Sequence, residues 1–329
     1  MNTPSVTVIV TTYKRATLAE RAVRSVLKQT VPADEIIVVE DGSDTDLQER
    51  LQSLDSEQVT YLRHESNQGL AAARNTGLQA AKCELVAYLD DDDVWLETRL
   101  AAQLDRYREI PEAERPKLAA IQVGCRIVNP DGEQTGLSMP INEGPLADSI
   151  RKHGAATPSS SFLFRREVLA DVGGFDTDLI SGIDHDVWMK LAVAGYSSAR
   201  VPEVHVVVTS DERHTMMSDT HRRVAGIAQY VDKWAPTYRE WFGAKAGEVY
   251  ARRYFIKVIG GLAGLKLARG RYRDGFYAMS QAFRRGGWYP NLIAYTIWRT
   301  FRTFVSYRFP GARTMKHALS RNTAQNHGG

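Results

Sequence analysis

Glu84-Leu85-Val86-Ala87-Tyr88-Leu89 runs straight into Asp90-Asp91-Asp92-Asp93-Val94-Trp95. A short, mostly apolar run that reads as a buried strand thus delivers four consecutive carboxylates to one point. Adjacent carboxylates repel one another, and burial adds to the penalty. A divalent cation such as Mg²⁺ or Mn²⁺ relieves it, because these ions prefer hard oxygen ligands and bridge to substrate phosphates. A solvated acidic turn or an acidic helix N-terminus is the alternative reading of the same residues.

Upstream, strands and helices alternate. Val6 to Val10 is a β-branched run, and Thr17-Leu18-Ala19-Glu20 reads as a capping box opening a helix whose apolar face is Ala19, Ala22, Val23, Val26 and Leu27. Glu35 to Glu40 is a second strand ending in the turn Asp41-Gly42-Ser43, followed by a polar helix at about 46–54. A strand at Val59 to Arg63 and a helix from Gly69 to Ala81 complete the series. This alternation predicts an α/β fold: a doubly wound, mostly parallel sheet flanked by helices. Ligands of such sheets bind beyond the carboxyl ends of the strands, so Thr11 to Tyr13, Asp41 and Asp90 to Asp93 should converge. Downstream, strands are expected at Leu118–Val128, Ser161–Phe164 and Val201–Val208, and helices at Arg166–Val172 and Asp184–Ala194. From His221 the chain reads as helical. The expected domains are 1–235, in halves 1–115 and 116–235, and a helical, basic C-terminal region, 236–329.

The 329 residues are 43% apolar and 25% charged, which excludes collagen-like, disulfide-rich and disordered classes. Cys83 and Cys125 each sit in an apolar run and read as free, buried thiols. No basic-then-apolar leader opens the sequence, so no signal peptide is expected. The net charge of +3 hides an asymmetry: Ala251 to Gly329 holds fifteen Lys and Arg against the single acid Asp274, or +14, leaving −11 on residues 1–250. A basic tail calls for an anionic partner: a membrane surface, a phosphorylated acceptor or nucleic acid. The uncharged run Gly286 to Trp298 is shorter than the roughly 20 residues a spanning helix needs. Further on, Ala294, Ile297, Trp298, Phe301, Phe304 and Val305 share one helical face, with Arg299, Arg302, Thr303 and Ser306 opposite. Such a helix either lies in a membrane interface or docks on the protein's own core.

Taken in order, Val8-Ile9-Val10-Thr11-Thr12-Tyr13, Val38-Val39-Glu40-Asp41-Gly42-Ser43, Gly69-Leu70-Ala71-Ala72-Ala73-Arg74-Asn75 and Leu89 to Asp93 resemble the family-2 glycosyltransferases of bacterial type, with the GT-A fold. The likeness continues through Ser159-Ser160-Ser161, Phe164-Arg165-Arg166, Val172-Gly173-Gly174-Phe175-Asp176 and Asp184-His185-Asp186-Val187-Trp188, covering about residues 5–215. The resemblance implies that Thr11 and Tyr13 line the nucleotide pocket, Tyr13 against the base. Asp41 would accept from a base N–H, favouring uracil or thymine, and Arg74 would approach the diphosphate. Asp92 would contact the metal, Mn²⁺ or Mg²⁺, with Asp90 on the nucleotide sugar or a metal-bound water. Asp91 is grouped with the donor contacts, although four aspartates in a row leave the register of Asp91 and Asp93 open. Asp184 would be the catalytic base and His214 a further metal or diphosphate contact. Asp186 is its rival as base, but neighbours two apart on a helix do not share a face. Two positions depart from the family pattern. Glu40 stands where a first aspartate is usual and should point off the binding face as a strand-end surface acid, and Ile183 replaces the usual Glu before Asp184. Lys14 and Arg15 either attract the diphosphate or are solvated, and Trp95 reads as a packing anchor.

The resemblance therefore implies an inverting, metal-dependent glycosyltransferase moving a sugar from a nucleoside-diphosphate donor, UDP- or dTDP-sugar favoured, to a hydroxyl of a saccharide or lipid-linked glycan. The expected location is cytoplasmic at the inner face of a membrane, with peripheral contact through 286–309 and no nucleic-acid partner. The competing readings are a non-catalytic membrane- or nucleic-acid-binding protein on a degenerate transferase fold, and a sugar-phosphate nucleotidyltransferase. The second lacks its usual N-terminal Gly-rich loop here.

Overall fold

A computed structural model describes residues 4–155, 158–210 and 219–308. Its elements begin β1 (Val6–Thr12), α1 (Ala16–Leu27), β2 (Glu35–Glu40), α2 (Leu47–Gln52), β3 (Val59–Arg63), α3 (Leu70–Ala80) and β4 (Leu85–Asp90). These are the alternating units expected from the sequence. Strands β3, β2, β1 and β4 lie side by side and parallel. Both faces are covered, as parallel sheets require. Val8, Val10, Ile36, Val38 and Leu89 pack with Ala19, Ala22, Val23 and Val26 of α1, while Ile37 and Val39 cluster with Ala73 of α3. Helix α1 starts one residue before Thr17, with Arg15 at its N-cap and no side-chain cap. The capping box is not formed. Glu20 instead takes Arg24 and Arg50 as partners.

Next come β5 (Val94–Trp95), α4 (Arg99–Glu109), β6 (Leu118–Val128), β7 (Gln134–Ser138), β8 (Gly144–Pro145), α5 (Leu146–His153), β9 (Phe162–Arg165), α6 (Arg166–Asp171), α7 (Ile183–Val193) and β10 (Ser197–Thr209). The sheet continues in the order β4-β9-β6-β10-β5, with β7 against β6 and β8 against β10. Here β9 is antiparallel to both β4 and β6, while β10 runs parallel to β6. Cys83 and Cys125 are free and buried.

The C-terminal helices are α8 (Thr220–Phe242), α9 (Ala244–Ala268), α10 (Tyr272–Gly286) and α11 (Pro290–Arg308). Compactness divides the described residues into two units, one drawn from 4–178 and 183–210, the other from 179–182 and 219–308. Helix α8 runs unbroken through residue 235.

Candidate functional site

The sheet register brings three strand ends level. Thr11 of β1 pairs with Asp90 of β4, and Thr12 pairs with Glu40 of β2. The chain leaves β1 through Tyr13, a residue 40% exposed, with the Lys14 ammonium 5.0 Å from its ring centroid. Thr11 itself is buried.

The four aspartates divide by alternation. Side chains of Asp90 and Asp92 keep 30% and 19% of their exposure, whereas Asp91 and Asp93 are enclosed. Asp91 accepts from Thr12 Oγ1 at 2.6 Å and meets Arg15 Nη2 at 2.7 Å. Arg15 Nη1 also donates to Asp92 at 3.0 Å, so this arginine is neither solvated nor unpaired but spans two neighbouring carboxylates. Asp93 accepts from Ser160 Oγ at 2.6 Å and from the Thr209 amide at 3.1 Å. Burial pushes the Asp91 carboxyl up to about 7, against the pull of Arg15. Burial and then repulsion from Asp90 raise Asp92, and burial with Asp90 and Asp92 raises Asp93 well above the carboxylate range.

Arg74, on α3, is fully buried and points into this cluster. Its Nη2 donates to Asp90 Oδ1 and to Ser159 Oγ, each at 2.7 Å, and its Nη1 donates to Asp184 Oδ1 at 2.6 Å. Ser159 in turn donates to Asp90 Oδ2 at 3.0 Å. Burial works against the guanidinium charge, but Asp184 and then Asp90 outweigh it and hold its pKa above the ordinary arginine value. The Phe175 and Tyr88 rings lie 5.1 and 5.8 Å from the guanidinium carbon. Asp184 stands in the first turn of α7 with its side chain 25% exposed; Asp186 is fully buried, 3.5 Å from Lys190.

At the end of β2, Asp41 is enclosed by donors from the next loop. His64 Nδ1 and the Gln68 amide reach Oδ1 at 2.8 Å each, and the Gly69 amide reaches Oδ2 at 2.8 Å. A carboxylate only accepts, so Nδ1 of His64 carries the proton. Gly42, at φ +68°, lets the chain turn here: a Cβ would sit 2.0 Å from Asn67 N. Glu40 is a correction. It is buried rather than at the surface, because Ser43, Thr45 and Tyr61 all donate hydroxyls to it.

Trp95 is buried and donates from Nε1 to the Ser160 carbonyl, the anchor role expected of it. His214 lies outside the described residues. Ser159, Ser160 and His64 organise the site and carried no assigned role in the sequence; Thr12 is expected at the site only as part of the β1 end, and Arg15 as a diphosphate attractor or a solvated residue. For the serines the only signal was their place in the family-like motif run. Among the described residues no cluster of three or more His, Cys, Asp or Glu side chains could hold a metal ion by itself. The donor set fits a hard cation held by one or two carboxylates, Asp92 and Asp90, together with phosphate oxygens and water.

The sequence pattern described as "Glycosyl transferase family 2" matches residues 7–173. WcaA of Escherichia coli (strain K12), a protein named for colanic acid biosynthesis, is 25% identical over 240 residues, covering 70% of this chain and 82% of its own. An uncharacterized glycosyltransferase of Nostoc sp. is 31% identical over 181 residues, 52% of this chain and 54% of its own. Two solved structures share the fold. Staphylococcus aureus TarS 1-349 with UDP-GlcNAc has a TM-score of 0.59 at 18% identity, covering 94% of this chain and 92% of that one. A mannosyltransferase from Pyrobaculum calidifontis with GDP-Man and Mn²⁺ has a TM-score of 0.56 at 21% identity, covering 94% and 86%.

Proposed function

The chain belongs to the family-2 glycosyltransferases, and we propose that it moves a sugar, with inversion, from a UDP- or dTDP-sugar to a hydroxyl of a saccharide or lipid-linked glycan. The observation that carries this reading is Arg74. One buried guanidinium binds Asp90 at the end of β4 and Asp184 at the start of α7, so the donor-side and acceptor-side carboxylates are fixed relative to each other.

In the proposed reaction Asp184 takes the proton of the acceptor hydroxyl as that oxygen attacks the anomeric carbon. The new C–O bond forms on the face opposite the diphosphate, and the bond from the anomeric carbon to the phosphate oxygen breaks, releasing the nucleoside diphosphate. Arg74 holds one oxygen of Asp184 and so sets the direction of the carboxylate before substrate arrives. Tyr13, exposed, offers its ring to the base, and the buried Thr11 lines the same pocket. Asp41 reads the base N–H; its oxygens present about four lone-pair directions, of which three are used by His64, Gln68 and Gly69. Asp91 acts one step back, holding Arg15 beside Asp92. Asp92 and Asp90, with His214 as a proposed further contact, would hold Mn²⁺ or Mg²⁺, which when bound would supply positive charge for a leaving diphosphate.

The solved relatives hold GDP-Man in one case and UDP-GlcNAc in another, so the uracil or thymine preference rests on Asp41 alone. No described helix is long and apolar enough to cross a membrane. A lipid-linked acceptor would be reached through peripheral contact at 286–309, from the cytoplasmic side.

Thermal shift and calorimetry with UDP-, dTDP- and GDP-sugars, with and without Mn²⁺, test the reading. Cation-dependent stabilisation by UDP- or dTDP-sugars, lost in Asp92→Ala, is expected. A folded protein that responds to none of these donors refutes it.

A further inference from the structure

Helix α11 buries the side that its composition marks as polar. Its buried residues are Leu292, Thr296, Thr300 and Thr303, of which Thr300 and Thr303 meet α9. There Gly260, Gly261 and Gly264 let the two backbones approach: a Cβ on Gly264 would lie 2.2 Å from the Thr300 carbonyl oxygen and 2.9 Å from Thr303 Cβ. Larger residues at this seam would hold the helices apart. The opposite side carries Ala294, Ile297, Trp298 and Phe301, all exposed, the last three at 56%, 49% and 64%. Trp288, in the turn before the helix, is 95% exposed.

A helix packed for water would turn Ile297, Trp298 and Phe301 inward and leave its threonines outside. Small residues at the seam with large apolar residues outward is how helices pack against lipid. The surroundings favour an anionic surface. Residues 219–308 contain seventeen Lys and Arg against five Asp and Glu. Arg302 is exposed with its guanidinium 5.1 Å from the Trp298 ring, and Arg308 is exposed at the helix end. A second copy of the same surface would bring like charges face to face, whereas acidic headgroups complement them.

We propose that α11 lies flat in the headgroup layer of an anionic bilayer, with Ile297, Trp298 and Phe301 inserted and Arg302 and Arg308 against lipid phosphates. This rests on the peripheral membrane contact proposed above and specifies its lipid and its residues. The helix does not span the bilayer; it anchors in one leaflet.

The test uses the full chain with vesicles of phosphatidylcholine alone and vesicles containing about one third phosphatidylglycerol. Co-sedimentation should be at least about tenfold tighter on the anionic vesicles and weaken with salt. Trp298→Ser/Phe301→Ser should lose about tenfold or more of that affinity. Arg302→Glu, which leaves the apolar face intact, should also weaken it. Donor-induced thermal shift, read without vesicles, should be unchanged in these variants, so failure of the transferase reading and failure of this one register separately. Wild-type protein that ignores anionic vesicles, or variants that bind them as wild type does, overturns the proposal. So does a wild-type dimer in sedimentation that the double variant dissociates without any lipid effect, which would assign the face to a second copy.

Discussion

Arg74→Lys separates charge from geometry at the centre of the site. The substitution keeps a cation on α3 but replaces a planar fork with one ammonium, which cannot serve Asp184, Asp90 and Ser159 from their present positions. Two of the three hydrogen bonds are expected to go. Hydrogen bonds to charged groups contribute about 1.5–3 kcal/mol each. Asp90 and Asp184 retain 30% and 25% side-chain exposure, so water replaces part of the loss. The low end of the range then applies, about 2–3 kcal/mol in all. For a unit of this size that lowers the melting temperature by about 4–12 °C. Because Asp184 loses the contact that aims it, kcat should fall about 100-fold, and donor affinity should weaken to the extent that Asp90 is released as well. Circular dichroism melts and initial rates at saturating donor read both effects. A variant that melts within about 1 °C of the parent and turns over at the parental rate would mean that Arg74 does not organise these carboxylates.

Asp184→Asn preserves shape and an acceptor for Arg74 but cannot take a proton; kcat should fall by about 10²–10⁴ with donor-induced thermal shift intact, and a near-parental rate would remove Asp184 as base. Gly42→Ala places a Cβ 2.0 Å from the Asn67 amide at a φ of +68°, so the turn carrying Asp41 must move. A loss of about 2–4 kcal/mol and weakened donor binding are expected in denaturant titrations, and an unperturbed protein would show that the loop yields freely. Asp91 has its folded pKa raised from 3.8 to about 7, so its neutral form is the one that folding favours. Its contribution is full below the unfolded value and is lost as pH rises through about 7. Melting temperature should therefore decline from about pH 5 to about pH 8 in buffer free of divalent ions, and Asp91→Asn should flatten that decline; parallel profiles would contradict the assignment.

The parallel half of the fold was legible because its strands are β-branched runs and its helices keep a regular apolar face. The two-residue strands β5 and β8 have no period to detect. Helix α4 hides its inward face by burying Arg99 and Gln103, the former over the Trp95 ring at 3.5 Å. Strand alternation carried past Asp90 separates Asp90 and Asp92 from Asp91 and Asp93, but a run of four identical residues conceals it. Glu40 misled for a different reason: one of its hydroxyl partners, Tyr61, belongs to β3, twenty-one positions away. A helical arginine is ordinarily solvated, and only the folded chain shows Arg74 enclosed by Asp90, Ser159 and Asp184. For α11 the periodicity shows an apolar stripe but not its direction, which is set by three glycines on another helix.

Two arginines share the work of holding the acids apart, and they do so unequally. Arg15 spans Asp91 and Asp92 from the surface, whereas Arg74 spans Asp90 and Asp184 from full burial. Burial alone disfavours the charge of Arg74, and its two carboxylates offset that. Losing either acid leaves Arg74 with the other. Losing both charges leaves a buried cation held by neutral acceptors, Ser159 and the two amide oxygens. Asp90→Asn and Asp184→Asn should therefore not add. The double variant is expected to be destabilised by at least about 1 kcal/mol more than the sum of the single effects, measured as a double-mutant cycle in denaturant unfolding. Additivity within about 0.5 kcal/mol would show that the two carboxylates answer to Arg74 independently, and that the guanidinium does not tie the donor side of the site to its base.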